Sequence, residues 1–239
     1  MELKGKVALI TGGSRGIGRA VVETLSNRGV RVAFFYYSAE EKAKEVASAT
    51  GALAVRCDVA SARSVKEGVS KVKSELGNVQ ILVNNAGIMG RYMKLFDIDE
   101  DDWDRVISVN LKGAYLVSRE VVPQMVDAGG GKIVNISSVA GKNGGTVGVH
   151  YAASKSGLIG LTFALASELA EHNILVNAIA PGPVDTDLIT DEIKRKLADL
   201  SMLKRIATPE EIAHTVVYLL ENDYVTGEVV DVNGGRYMD

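Results

Sequence analysis

Tyr151 and Lys155 stand four residues apart in the stretch HYAASKSG, residues 150–157, among alanines, serines and a glycine. On a helix, that spacing puts a phenol and an ammonium on one face. A free tyrosine titrates near pH 10, too high for easy proton exchange at neutrality. A neighbouring ammonium favours the phenolate, so the spacing predicts a lowered Tyr151 pKa. Such a tyrosine can give a proton to a carbonyl oxygen or take one from an alcohol. Ser138 precedes Tyr151 by thirteen residues and follows an apolar run, GKIVNIS, that reads as a strand. Strand ends face the ligand crevice of a parallel sheet, so the Ser138 hydroxyl can hydrogen-bond the same oxygen. Asn110, inside a predicted helix over 100–127, is a poor helix former. It either holds a water that relays protons to Lys155 or marks a kink with a local side-chain-to-backbone bond.

A second constellation lies near the start of the chain. Gly12, Gly16 and Gly18 in TGGSRGIG follow one apolar run directly and open a helical pattern. Glycines so placed allow a tight turn and let backbone N–H groups approach a pyrophosphate. The helix N-terminus adds partial positive charge for it. Ser14 and Ile17 belong to the same turn. About twenty residues further on, an NAD site usually carries an acid for the ribose hydroxyl. Here that place reads Phe35-Tyr36-Tyr37-Ser38, with no carboxylate before Glu40. A 2′-phosphate therefore meets no repulsion beside Tyr37 and Ser38, and Arg15 supplies a cation to pair with it. The expected cofactor is NADP(H). Asp58, followed by Val59, either accepts from an adenine amino group or caps its own loop. The run Asn84-Asn85-Ala86-Gly87 ties neighbouring strands, touches the cofactor, or both.

Elements that position these residues are visible as apolar runs at 6–10, 30–35, 52–57, 80–84, 131–137, 174–180 and 228–232. They are nearly continuous and not alternating, as strands covered on both faces should be. Helical patterns at 16–28, 39–50, 62–76, 100–127, 151–171, 188–200 and 209–221 separate them. The last opens on Thr208-Pro209-Glu210-Glu211, a cap, a proline at the first helical position and two acids. The rhythm predicts an α/β fold. It is a single doubly wound Rossmann-type domain over 1–239, with about seven parallel strands and helices on both faces. Residues 139–149 are glycine-rich and read as irregular. Residues 183–208 form a long connection of the kind that serves as a lid. The helix at 157–166, apolar nearly all round, reads as buried between the sheet and a partner chain.

Composition bounds the rest. Of 239 residues 46% are hydrophobic and 24% charged, with a net charge of −3, which gives no reason to expect a nucleic-acid or membrane partner. No apolar run reaches the roughly 20 residues of a membrane span, and the N-terminus lacks a leader pattern. The lone Cys57 suits a reducing compartment, and a cytoplasmic location is expected. His150 and His214 show no metal-ligand spacing, so no catalytic metal is expected. Both read as surface or partly buried. Lys194-Arg195-Lys196 reads as a solvated helix face, with steering of an anionic substrate on the lid as the alternative.

The set TGGSRGIG, NNAG, Asn110, NISS, YAASK and PGPVDT resembles the short-chain dehydrogenase/reductase family over essentially the whole chain. The resemblance implies Ser138, Tyr151, Lys155 and Asn110 as the catalytic set, with Tyr151 as acid/base and Lys155 also on the nicotinamide ribose. It further implies that Pro181, Gly182, Val184 and Thr186 line the nicotinamide end. A homotetramer built on helices 100–127 and 151–171 is implied too. Within the family the chain is most similar to 3-oxoacyl-[acyl-carrier-protein] reductases of fatty acid biosynthesis, by its length, TPEEIA and the ending VTGEVVDVNGGRYM. It departs from them at Ile88-Met89-Gly90-Arg91. Gly129 and His172 also stand where basic carrier-docking residues are usual. Acids crowd 97–104, where they suit a helix start but not an acidic carrier. The expected activity is NADP(H)-dependent reduction of a ketone, a 3-oxoacyl thioester foremost. An alcohol, polyol or sugar dehydrogenase and a non-catalytic dinucleotide sensor are the alternatives.

Overall fold

The computed structural model describes residues 1–186 and 191–238. Strands β1 (Val7–Thr11), β2 (Arg31–Tyr36), β3 (Leu53–Arg56), β4 (Ile81–Asn84), β5 (Gly131–Ile136), β6 (Ile174–Pro181) and β7 (Val229–Val232) form one sheet. Their order is β3-β2-β1-β4-β5-β6-β7, and all neighbours run parallel. The chain reverses its direction of travel across the sheet between β1 and β4. A crevice opens at such a switch point.

Helices cover both faces: α1 (Gly16–Asn27), α2 (Glu40–Thr50), α3 (Ala62–Leu76), α4 (Glu100–Ile107), α5 (Gly113–Asp127), α6 (Ala140–Asn143), α7 (Val149–Leu169), α8 (Asp191–Asp199) and α9 (Pro209–Glu221). Successive strand residues point to opposite faces, which divides the core in two. Ala8, Ile10, Val32 and Phe34 pack with Val21 of α1, Ala43 of α2 and Ile212 of α9. Val7, Leu9, Ala33 and Phe35 pack with Val65 of α3, Val117 of α5 and Ala166 of α7. Phe34 and Phe35, fully buried on opposite faces, each contribute about 2–3 kcal/mol by burial. This two-sided burial is why the strands read as continuous apolar runs.

Three sequence expectations need correction. The helix expected over 100–127 is interrupted by a π-helical turn, Ser108–Lys112, centred on Asn110. The segment 139–149 is not wholly irregular, since α6 forms within it and α7 begins at Val149. The connection after β6 is pinched at its neck by a parallel bridge between Val184 and Ala207. There Asp185 N donates to Ala207 O at 2.8 Å and Ala207 N to Pro183 O at 3.0 Å. Within the connection, Lys194 pairs with Asp185 at 2.7 Å, so that lysine is not merely solvated. Residues 187–190 of the expected lid lie outside the described residues. Thr208 caps α9 as its sequence predicts, with a reciprocal bond from the Thr208 amide to Glu211 at 2.9 Å.

Candidate active site

A cleft of about 670 Å³ runs along the carboxyl ends of the strands. Its nucleotide end is built from backbone. At Gly12, with φ +69°, an added Cβ would lie 3.1 Å from the Ala86 Cα. At Gly18 an added Cβ would run into the Gly12 carbonyl, so the start of α1 packs directly on the turn. Thr11 Oγ1 accepts from the amides of Asn85 and Ala86, each at 2.9 Å, and Asn85 Nδ2 donates to Thr11 O at 2.9 Å. These bonds lock the turn to the end of β4. Ser14, Arg15, Gly16 and Ile17 line the cleft here, with Tyr37 and Ser38 after β2 and Asp58 and Val59 after β3. Arg15 has no ionic partner among the described residues. Asp58 Oδ1 accepts from the Ala60 amide at 2.9 Å, so it caps its loop while lining the cleft.

The chemical end is built from side chains. Ser138 ends the segment after β5, and Tyr151 and Lys155 project from the first turns of α7. Lys155 Nζ donates to Ile136 O at 2.8 Å, and Ser137 Oγ donates to Lys155 O at 2.9 Å. Further along, Thr162 Oγ1 accepts from Asn135 Nδ2 at 2.9 Å, and Asn135 Oδ1 from Asn84 Nδ2 at 2.9 Å. The helix is thus pinned to the sheet at Lys155 and again at Thr162 on its inner face. The small residues of HYAASKSG serve this packing. Ser154 Oγ donates to Tyr151 O at 2.7 Å, and Ser156 Oγ donates to Gly141 O at 2.6 Å. A Cβ on Gly157 would meet Leu111 of the π-helical turn at 2.7 Å.

Electrostatics correct one expectation. Burial raises the Tyr151 pKa, and a hydrogen bond with Ser138 only partly offsets it. Burial also lowers Lys155, to about 8. The Lys155 ammonium lies 5.8 Å from the Tyr151 ring centroid, adjacent to the phenol without bonding it. Spacing gave the proximity correctly, but desolvation wins over the attraction expected from it.

Every expected site residue lines the cleft except Gly18 and Asn110, including Gly87, Pro181, Gly182, Val184 and Thr186. Asn110 is buried behind the wall. Its Oδ1 accepts from Ile88 N at 2.8 Å, while its Nδ2 donates to Ile88 O at 2.9 Å and Ser154 Oγ at 3.0 Å. The π-helical turn therefore aims this side chain across to the strand β4 exit and α7, and its backbone partner is not local.

Sequence reading missed other groups. His150 is fully buried, neither partly buried nor at the surface, with Nε2 3.3 Å from Asp102 Oδ2 and Nδ1 without a hydrogen-bond partner among the described residues. A Cβ on Gly90 or Gly148 would strike its ring, so these glycines make its slot. Asp102 also accepts from the Arg91 amide at 3.1 Å and pairs with Arg105. The Arg105 bond, then the Arg91 amide, hold its carboxyl well below the usual carboxylate range. Asp99 caps α4, accepting from Asp102 N at 2.7 Å. The acids at 97–104 therefore divide, one carboxylate inside and the others at the helix start. Arg236 of the tail after β7 also lines the cleft, a place that the letters NGGRYM do not signal. The signal for His150 was its place beside Tyr151 and two residues after a glycine.

Comparisons with known proteins agree with this architecture. The family described as short chain dehydrogenase matches residues 6–197. The 3-oxoacyl-[acyl-carrier-protein] reductase of Aquifex aeolicus is 40% identical over 247 residues, covering 99% of each chain. That of Thermotoga maritima is 42% identical, covering 98% of this chain and 99% of its own. The Staphylococcus aureus reductase is 41% identical, covering 98% of each. A Rossmann-type sheet, a glycine turn at its switch point and a matching pattern over most of the sequence lead to one conclusion: the chain belongs to the short chain dehydrogenase family and is an oxidoreductase that works with a nicotinamide dinucleotide.

Proposed function

We propose that the protein is an NADP(H)-dependent reductase that converts a ketone to a secondary alcohol, with a 3-oxoacyl thioester as the substrate class. The observation that carries this reading is the convergence of Ser138, Tyr151 and Lys155 on one cleft whose other end is a glycine turn. The turn fits a dinucleotide, because Gly12 and Gly18 let it pack without side chains against the β4 exit and the start of α1, leaving its backbone along the cleft. Gly12, Ser14, Gly16 and Ile17 would hold the phosphates, with Asn85, Ala86 and Gly87 beside them. Asp58 and Val59 would meet the adenine, and Pro181, Gly182, Val184 and Thr186 the nicotinamide. Arg15, which has no ionic partner among the described residues and lines the same cleft as Tyr37 and Ser38, favours a 2′-phosphate. When bound there, the reduced cofactor would supply the hydride for the carbonyl carbon.

Ser138 orients the carbonyl oxygen, and Tyr151 gives that oxygen its proton. A phenol whose pKa is raised by burial holds its proton throughout the neutral range, which suits an acid in the reducing direction. Lys155, lowered to about 8, can pass a proton toward the phenolate left behind. Asn110 keeps Ile88 and Ser154 in place. The substrate class is that of the named relatives.

The apolar side chains of Tyr115 on α5 and Phe163 on α7 are half exposed, which supports assembly through those helices, as a homotetramer. Among the described residues no helix is long and apolar enough to cross a membrane; the cytoplasmic location proposed for the enzyme rests on its lone cysteine, Cys57.

The test is turnover of an acetoacetyl thioester with NADPH and with NADH, beside simple ketones, diols and sugars. Preferred reduction of the thioester by NADPH is expected. Oxidation of a diol or sugar as the dominant activity, or a clear NADH preference, would overturn the respective part.

A further inference from the structure

Two guanidinium groups in the cleft, Arg15 and Arg236, lack an ionic partner among the described residues. Arg15 stands beside the glycine turn and has an assignment. Arg236 stands elsewhere. Strand β7 is the edge of the sheet opposite β3, and Arg236 follows its carboxyl end. Along the cleft the order is therefore Asp58 after β3, Tyr37 after β2, the turn after β1, Ser138 after β5 and Arg236 after β7. The glycine turn lies on one side of Ser138 and Arg236 on the other, beyond the Pro181–Thr186 segment that follows β6.

The segment carrying Arg236 is built to hold it. Gly234 and Gly235 both have positive φ, +64° and +77°, and turn the chain back over the β6 exit. Asn233 brackets the arginine, with Oδ1 accepting from Gly235 N at 3.0 Å and Nδ2 donating to Tyr237 O at 2.9 Å. Arg236 N donates to Asn233 O at 3.2 Å. Ser201 Oγ and Met202 N, from the connection before α9, donate to Gly234 O at 3.1 and 2.9 Å. A Cβ on Gly182 would come within 2.9 Å of the Asn233 Cα, so this turn rests directly on the Pro181-Gly182 backbone.

The Arg236 side chain itself is half-buried and has no ionic partner among the described residues. The nearby cation Lys142, which lies over the Tyr237 ring, is matched by Asp231 at 2.5 Å. Asp58, the carboxylate that lines the cleft, lies at the far edge of the sheet. A partly desolvated guanidinium on a fixed backbone is an arrangement that gains from a carboxylate arriving in its plane. One unmatched cation suits one negative charge, and so a carboxylate better than a phosphate dianion.

We propose that Arg236 binds a carboxylate carried by the substrate, so that the ketone reduced at Ser138 and Tyr151 belongs to an oxo acid. This rests on the ketone-reductase reading and narrows it: the acyl chain of a preferred 3-oxoacyl thioester ends in a carboxylate.

The experiment compares a 3-oxoacyl thioester ending in a carboxylate with its own methyl ester, which has the same chain and no charge. The wild-type enzyme should prefer the acid in kcat/KM by about tenfold or more. Arg236→Met should raise KM for the acid about tenfold, leave the ester nearly unchanged and erase the preference. Arg236→Lys should restore part of it. Equal use of acid and ester by the wild type, or an equal loss on both in Arg236→Met, would overturn the proposal while leaving ketone reduction intact. NADPH affinity, read by fluorescence, should not change in Arg236→Met. A tenfold loss there would reassign the arginine to the cofactor and also overturn it. Calorimetric binding of the same pair to the NADP-loaded Tyr151→Phe protein reads the preference without turnover. The proposal therefore stands or falls even if neither compound is reduced, an outcome that would sink the broader reading alone.

Discussion

The two ends of the cleft are made of different material. The nucleotide end is a backbone surface: Gly12 and Gly18 exclude side chains, and Thr11 and Asn85 fix the turn by bonds to main-chain atoms. The chemical end is a side-chain surface whose groups are held by other side chains, Asn110 on Ser154 and Asn135 on Thr162. A backbone cradle fails when volume is added. A side-chain constellation fails when a functional group is removed. The first fixes a ligand common to many reactions, and the second fixes one reaction.

Four substitutions or titrations set this contrast to the test. Tyr151→Phe removes one oxygen from the chemical end and should lower kcat about 10³-fold, with NADPH affinity unchanged by fluorescence titration. Near-normal turnover would show that another group supplies the proton. Gly18→Ala adds one methyl to the nucleotide end, against the Gly12 carbonyl. It should raise the NADPH Kd about a hundredfold, about 2.7 kcal/mol, and slow turnover only through lost occupancy. Saturation with excess NADPH should then restore most of kcat. A loss that excess cofactor cannot restore would blur the division between the ends.

Lys155 links the two ends, and its pKa of about 8 against an ordinary 10.5 gives a stability signature. Between those values the unfolded chain holds the proton and the folded chain does not, so unfolding free energy rises with pH across that window. The rise is at most about 1.4 kcal/mol per pH unit. Tyr151, whose pKa is raised, acts in the opposite sense above its ordinary value of 10.0, so the rise should flatten there. Urea unfolding of Lys155→Met should lack the increase from about pH 8 to 10 that the wild type shows. The smallest effect belongs to Arg15→Ala, which should reduce the NADPH-over-NADH ratio of kcat/KM about tenfold and leave the NADH value nearly unchanged.

The same contrast decides what could be read in advance. A backbone cradle needs glycines at fixed spacing after a strand, and TGGSRGIG after an apolar run shows that directly in the letters. The α/β alternation was equally open, because burial on both faces leaves unbroken apolar runs. Tyr151 and Lys155 were legible as neighbours through helix geometry. Their protonation was not, because desolvation depends on segments distant in sequence: Gly87 after β4, Ile136 and Ser138 at the end of β5, and Gly141 of α6 come together on Tyr151 and Lys155. His150 was misread for a similar reason. Its slot is formed by Gly90, Gly148 and Asp102, and Asp102 lies 48 positions away in sequence. Helix periodicity also ran straight through 100–127, since a single π-helical turn shifts register without changing composition. Arg236 had no visible meaning until β7 was paired with β6 and its tail was laid over Gly182.

The bridge between Val184 and Ala207 gives the excursion that follows β6 a closed base. Anything inserted or deleted beyond that base changes a loop whose ends are already joined, and loop-closure entropy grows only slowly with length. The stretch between Thr186, which lines the cleft, and Ser201, which holds the Arg236 turn, is therefore where chain length can change while strand register and proton donor stay fixed. A lineage carrying this scaffold can diversify its substrates by swapping one insert, and an engineer can graft another relative's insert at the same two positions.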